Sequence, residues 1–219
     1  MKKMAIFAFL LSWLASSWAW AASPESYLPL KEGMVWEYQN KFIDLKSNEP
    51  VGGGKAIKKN LASIDLQGTR VVPQIFSFYQ PDETLKQETG SFVAQDTAGF
   101  YVFARQGPND KGPRIIAEKY YILKFPLTKG ASWKQEVEGF ILQDTIESTD
   151  ASVQVPAGAF NNCLMIKKLY FSPKNPNTPL QEAQFWFAPD VGNVKVVIKH
   201  LQENKELVQE LVSLKKIDY

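Results

Sequence analysis

The sequence predicts a mainly β protein, a curled antiparallel meander of about ten strands that is half-barrel or barrel-like. Three observations carry this. Segments rich in Val, Ile, Phe, Tyr and Trp alternate with polar residues at period two along most of the chain. Clusters of Gly, Pro, Asn and Asp break them at short intervals. The connections left between segments are too short for parallel crossovers, which need about a dozen residues or more, so successive strands run antiparallel. Curling lets such a sheet bury its concave face and protect its edges. A closed barrel, an open half-barrel and a two-sheet sandwich all satisfy the pattern.

The elements follow in order. Residues 34–45 form a first strand, and 48–54, with three consecutive glycines, form a Pro/Gly-rich loop. Residues 55–66 read as a strand ended by Gly68, and 70–80 as one closed by Pro81-Asp82. Residues 84–95 and 100–105 make a hairpin around Asp96-Thr97-Ala98-Gly99, and 115–125 make the next strand. Residues 134–148 are a strand or a strand pair bent at Gly139, 151–155 a short strand, and 160–171 a longer one. Pro173, Pro176 and Pro179 mark a long loop. Residues 181–188, 194–201 and 207–217 complete the set; Leu207, Leu211 and Leu214 also fit a helical spacing, but the preceding short turn favours a strand.

A phrase occurs twice. Leu28-Pro29-Leu30-Lys31-Glu32-Gly33-Met34-Val35-Trp36 returns 97 positions later as Phe125-Pro126-Leu127-Thr128-Lys129-Gly130-Ala131-Ser132-Trp133. Pro29 and Pro126 fix φ, Gly33 and Gly130 permit a tight reversal, and Trp36 and Trp133 arrive on the strand that follows. Their indoles suit a core position with the ring nitrogen bonded to a carbonyl, or the wall of a ligand pocket, and Trp186 is a third pocket candidate. The repeat divides the chain into possible halves, 27–124 and 125–219, within one β domain spanning 22–219.

Residues 1–21 read as a cleavable signal peptide. Lys2 and Lys3 supply the positive start, Ile6 to Leu14 the apolar core and Ala19-Trp20-Ala21 the small-x-small cleavage site. The core is shorter than the ~20 residues that span a bilayer, so no transmembrane anchor is expected. The expected location is the periplasm, with secretion beyond it open. Without Lys2 and Lys3 the chain carries 23 Lys plus Arg against 23 Asp plus Glu, a formal charge of zero. That balance argues against a nucleic-acid partner.

Several phrases resemble a family of exported bacterial β-rich domains of uncharacterised function, often found in lipoproteins and other envelope proteins. They are Tyr27-Leu28-Pro29-Leu30 with Gly33 and Trp36; Val153-Gln154-Val155-Pro156-Ala157-Gly158-Ala159-Phe160 ending at Cys163; Phe185-Trp186-Phe187-Ala188-Pro189-Asp190-Val191-Gly192-Asn193-Val194-Lys195; and Glu210-Leu211-Val212-Ser213-Leu214. Ala159, Asp190 and Asn193 depart from the family pattern, and no cysteine stands near the cleavage site to carry a lipid. The resemblance implies the fold and transfers no catalytic residue. Read from the residues alone, Pro156 and Gly158 form one turn and Pro189 and Gly192 another.

Chemistry candidates are few. Cys163 and His200 are the only residues of their types; a thiolate–imidazole pair is one reading of them, a buried small hydrophobe beside a strand-end histidine the other. One Cys and one His build no metal site, and no calcium-loop spacing occurs, so neither metal nor cofactor is expected. Glu136 with Glu138, and Asp144 with Glu147, fall on shared or nearly shared strand faces, as a solvated face or a carboxylate pair. The Gly-x-Ser-x-Gly elbow, phosphate-binding and dinucleotide motifs do not occur. The expected function is a non-enzymatic exported envelope domain with a binding or structural role, its partner an envelope protein. The alternatives are a carrier or sensor of an apolar small molecule such as a lipid or acyl chain, and a hydrolase.

Overall fold

The structure, a computed structural model, describes residues 22–217; the signal segment read at 1–21 lies outside them. Thirteen antiparallel strands form a nearly closed barrel with one unsealed seam. The first seven are β1 (Met34–Asp44), β2 (Glu49–Asn60), β3 (Ile64–Leu66), β4 (Thr69–Tyr79), β5 (Leu85–Asp96), β6 (Gly99–Gln106) and β7 (Arg114–Lys124). The rest are β8 (Ser132–Val137), β9 (Phe140–Val155), β10 (Gly158–Ser172), β11 (Asn175–Ala188), β12 (Gly192–His200) and β13 (Lys205–Lys216). Around the wall the order is β1-β2-β4-β5-β6-β7, then β8 through β13, which pairs back onto β1. This is an up-and-down circuit of twelve strands. β3 lies off it and pairs with β4.

The strand count exceeds the sequence expectation of about ten: the single strand read at 55–66 divides into the end of β2 and β3, and 134–148 resolves into a pair, β8 and the first part of β9; other segments differ in extent. Residues 49–54, expected as a loop, form the first half of β2, although they include Pro50 and three glycines. They pair only with β1, because the β2–β4 ladder begins at Lys55 opposite Tyr79. Pro176 and Pro179 sit in β11 before its pairing with β12 begins at Gln181, so they too have a free side. Residues 151–155 continue β9 past a bulge. Residues 207–216 are strand, not helix.

Alternation sorts the side chains. Trp36 and Tyr38, Phe76 and Phe78, and Phe185 and Phe187 point into the barrel. The outward face of β4 to β7 carries its own cluster, with Val71, Phe92, Ala94 and Tyr101 buried beneath Leu66 of β3. That accounts for aromatic residues on both faces of these strands.

One end of the barrel is plugged. A 3₁₀ turn, Pro24–Tyr27, leads into a segment whose Tyr27 and Leu28 are buried among Val93, Phe100, Leu123 and Ile146. Asn60 Nδ2 donates to the carbonyls of Pro29 (3.0 Å) and Lys31 (3.1 Å), and Asp190 N donates to Ser26 O. Gly33 then turns the chain into β1 with φ of 77°; a Cβ there would stand 2.0 Å from Ile217 O, so only glycine fits.

The seam lies between β7 and β8, which share no backbone ladder among the described residues. The side chain of Gln135 substitutes for a strand. Its Oε1 accepts from Tyr121 N (2.9 Å) and its Nε2 donates to Tyr121 O (3.0 Å), as a backbone amide would. Glu138, in the turn after β8, pairs with both Arg105 and Arg114 across the same gap. These pairings, led by the Arg114 hydrogen bond, hold its carboxyl below the usual range against the opposing effect of its partial burial.

Candidate functional site

A barrel of about eight strands is just filled by its own side chains; twelve enclose more space than the side chains take up. The structure accordingly holds an open cavity of about 280 Å³ inside the wall. Phe76 and Phe78 of β4, Ile122 of β7, and Phe185 and Phe187 of β11 supply aromatic and aliphatic surface, and Leu28 of the plug closes the inner end. Ile198 and Leu207 lie towards the opposite rim, near the β12–β13 turn. The volume falls close to the lower bound of small-molecule sites, roughly 300 Å³.

The polar groups on this wall are mostly engaged with one another. Gln74 Nε2 donates to Asn60 Oδ1 (3.0 Å), Gln209 Nε2 to Asn40 Oδ1 (2.8 Å), and Tyr38 Oη to Asn193 O (2.9 Å). Lys58 is the exception. It faces inward from β2 opposite Trp36 of β1 and is 6% exposed. Its Nζ stands 3.8 Å over the Trp36 ring, and among the described residues it has no ion-pair or hydrogen-bond partner. Burial pulls its pKa down from 10.5 to about 7.

A second, smaller cavity of about 60 Å³ shares Ile122, Phe185 and Phe187 with the first and reaches the seam. Lys168 of β10 lies here beside a phenol and a carboxylate. It donates to Tyr120 Oη at 2.7 Å, and Asp144 Oδ1 stands 3.2 Å away at ion-pair distance without hydrogen-bond alignment. Gln135 Nε2 donates to the other Asp144 oxygen, so the seam amide and the buried pair form one network. Burial opposes the charge on Lys168, but Tyr120 and Asp144 together hold its pKa above the ordinary value. Burial pushes the Asp144 carboxyl up, with Lys168 and Gln135 acting against it.

The residues singled out in the sequence fall as follows. Trp36 is fully buried, donates from Nε1 to Val191 O at 2.6 Å, and supports Lys58 from behind. Trp133 packs in the cluster at the plugged end, with its Nε1 buried and unbonded. Trp186 is half-buried against the cluster that holds Val155 and Cys163. None of the three is on the cavity wall. Pro29 packs on Gly192, in the turn that follows Pro189; a Cβ on that glycine would lie 3.2 Å from the proline ring. Pro126 follows a cis peptide bond and Gly130 has φ of 86°. In the turn of Pro156 and Gly158, Ala157 N donates to Leu211 O, pinning the β9–β10 tip onto β13.

Cys163 and His200 do not meet. Leu164 pairs with Phe187 while His200 pairs with Gln181, so the two lie roughly 20 Å apart along the strands at ~3.3 Å per residue. The thiol is buried and its pKa pushed up to about 11, while His200 Nδ1 is bonded to Gln181. Nor do the carboxylates pair. Glu138 is taken by its arginines, and Asp144 points inward while Glu147 points outward. Among the described residues no group of His, Cys, Asp and Glu is placed to hold a metal ion.

Lys58 was invisible to sequence reading. In Ala56-Ile57-Lys58-Lys59-Asn60 the apolar Ile57 marks the opposite parity as the buried one, and nothing distinguishes Lys58 from Lys59. Only the register with Trp36 reveals it.

No protein-family model matches the chain, and no curated protein matches it. Solved structures do. A candidate lipoprotein from Parabacteroides distasonis aligns with a TM-score of 0.51 at 19% identity, over 86% of this chain and 98% of that one. A candidate exported protein with a YmcC-like fold from Bacteroides fragilis gives 0.46 at 13%, over 85% and 97%. A β-barrel-like protein of unknown function (DUF1849) from Brucella abortus gives 0.44 at 11%, over 85% and 98%. The first of these likenesses establishes a shared fold.

Proposed function

We propose that this chain is an exported, non-enzymatic binding domain of the bacterial envelope whose barrel interior takes up an apolar ligand such as an acyl chain. The observation that carries this is the aromatic-walled cavity between the plug and the rim, in a barrel wider than its own side chains fill. The export signal read at 1–21 and the lipoprotein description of the Parabacteroides fold relative support an envelope location. Among the described residues no helix is long and apolar enough to cross a membrane. A hydrolytic role through Cys163 and His200 has no geometry to support it.

The test is native mass spectrometry of the protein purified from the periplasm, paired with titration of a fluorescent fatty acid. A co-purified lipid mass, or saturable uptake displaced by unlabelled fatty acid, is the expected outcome. A bare protein that takes up no probe at micromolar concentration refutes it.

A further inference from the structure

We propose that the cavity selects a single-chain amphiphile with a carboxylate head, the head seated on the ammonium of Lys58 and the acyl tail lying along Phe76 and Phe78. This rests on the reading of the barrel interior as an apolar-ligand site and adds the headgroup. Among the described residues Lys58 is the one charged residue on the cavity wall. A largely buried ammonium with no anion beside it is unfavourable, and the Trp36 ring offsets only part of that. Lys168, a few residues from the same aromatic wall, shows the ordinary solution, with Asp144 and Tyr120 supplied by the protein itself. For Lys58 no described residue supplies the anion, which leaves that place open to a ligand's carboxylate.

The donor inventory fixes the class of head. Tyr38 donates elsewhere, Gln74 and Gln209 each commit one amide N–H to a neighbour, and among the described residues on the wall Lys58 alone carries a positive charge. That matches a monoanionic carboxylate. A phosphate would call for further donors, typically an arginine fork, and none lines the cavity. Depth agrees. Lys58 pairs with Phe76, three residues from the end of β4, so it lies roughly 10 Å below that rim at ~3.3 Å per residue.

Binding then depends on pH through Lys58, whose lowered pKa leaves it partly neutral near pH 7. Among the described residues the other titratable group on the wall is Tyr38, whose phenol is pushed far above its usual value by burial, and no Asp, Glu or His lines the cavity.

Isothermal titration of the full chain with decanoate, 1-decanol and decyl phosphate at about pH 6.5 and about pH 8.5 tests the assignment. Wild type is expected to bind decanoate about tenfold or more tighter than decanol at the lower pH, and to lose about tenfold at the higher. Lys58→Met is expected to lose the preference for decanoate over decanol. Lys58→Arg, charged at both pH values, is expected to keep that preference and lose its pH dependence. Equal binding of decanoate and decanol by wild type, a decanoate preference retained in Lys58→Met, or tighter binding of decyl phosphate overturns the carboxylate assignment while leaving the apolar site standing. Binding of none of the three probes overturns both.

Discussion

Replacing Lys58 by methionine is expected to stabilise the protein at neutral pH, by an amount that shrinks as the pH rises. Burial lowers the Lys58 pKa from its ordinary 10.5 to about 7. Between those values the unfolded chain holds a proton that the folded chain has released, so the lysine's contribution to stability rises with pH across this window. Below about pH 7 the folded state must hold the ammonium in a largely buried place without an anion. The proton is held about 3.5 pH units less tightly in the folded chain, and at ~1.4 kcal/mol per unit the penalty approaches 5 kcal/mol. At pH 7, where the folded amine is half protonated, about 4 kcal/mol of it is present. Methionine removes that penalty and forfeits the contact with Trp36, worth about 2 kcal/mol when desolvated. A net gain of about 2 kcal/mol corresponds to roughly 4–8 °C in Tm for a chain of this size. Thermal melts of the two proteins side by side, from about pH 6 to about pH 10, read it directly. The gap is expected to be widest at the acid end and to close towards the alkaline end. A variant less stable than wild type at the acid end, or a gap that does not move with pH, refutes the view of Lys58 as a buried cation lacking an anion.

Two further outcomes concern the seam. Gln135→Leu leaves the Tyr121 N–H and C=O without their partner and is expected to cost about 1–3 kcal/mol. Hydrogen exchange should speed up at Tyr121 and leave the β13–β1 ladder protected; unchanged exchange at Tyr121 counts against the side-chain strand mimic. Lys168→Met strands the buried Asp144 and is expected to cost about 3–5 kcal/mol in denaturant unfolding, most of it recovered in the double variant with Asp144→Leu. A double variant as unstable as the single shows that the two residues are not coupled.

The antiparallel, curled architecture was legible because it depends on local features: period-two alternation and short turns. The misread segments share one cause. Residues 49–54 and 175–180 carry the Gly and Pro that mark loops, yet each is a strand extension paired on one side only. A missing N–H or side chain is tolerated there because the second neighbour has not yet joined. No local pattern reports where a neighbouring strand ends. The site was less legible for a related reason. The aromatic wall shows as composition, but Lys58 becomes notable only through a cross-strand register, and Gln135 only through facing a gap between strands that are consecutive in sequence. Both are products of closure.

The two copies of the Pro-Gly-Trp phrase enter the wall at opposite sides and meet different fates. The first opens β1, which pairs along its whole length with β13, and Gly33 joins that ladder by accepting from Ile217 N. The second opens β8, which ends at Val137 after six residues because Glu138 and Gly139 reverse the chain. β7 has eleven residues and meets a partner too short to match it. The shortfall is made up by side chains, Gln135 on Tyr121 and Glu138 between Arg105 and Arg114. Side-chain closures break one at a time, whereas a ladder resists as a unit, so local opening should begin at the seam rather than at the β13–β1 junction. The same amide that closes the seam also holds Asp144, and through it Lys168 at the edge of the apolar wall. The weakest line in the barrel is thus tied by hydrogen bonds and an ion pair to the space it encloses.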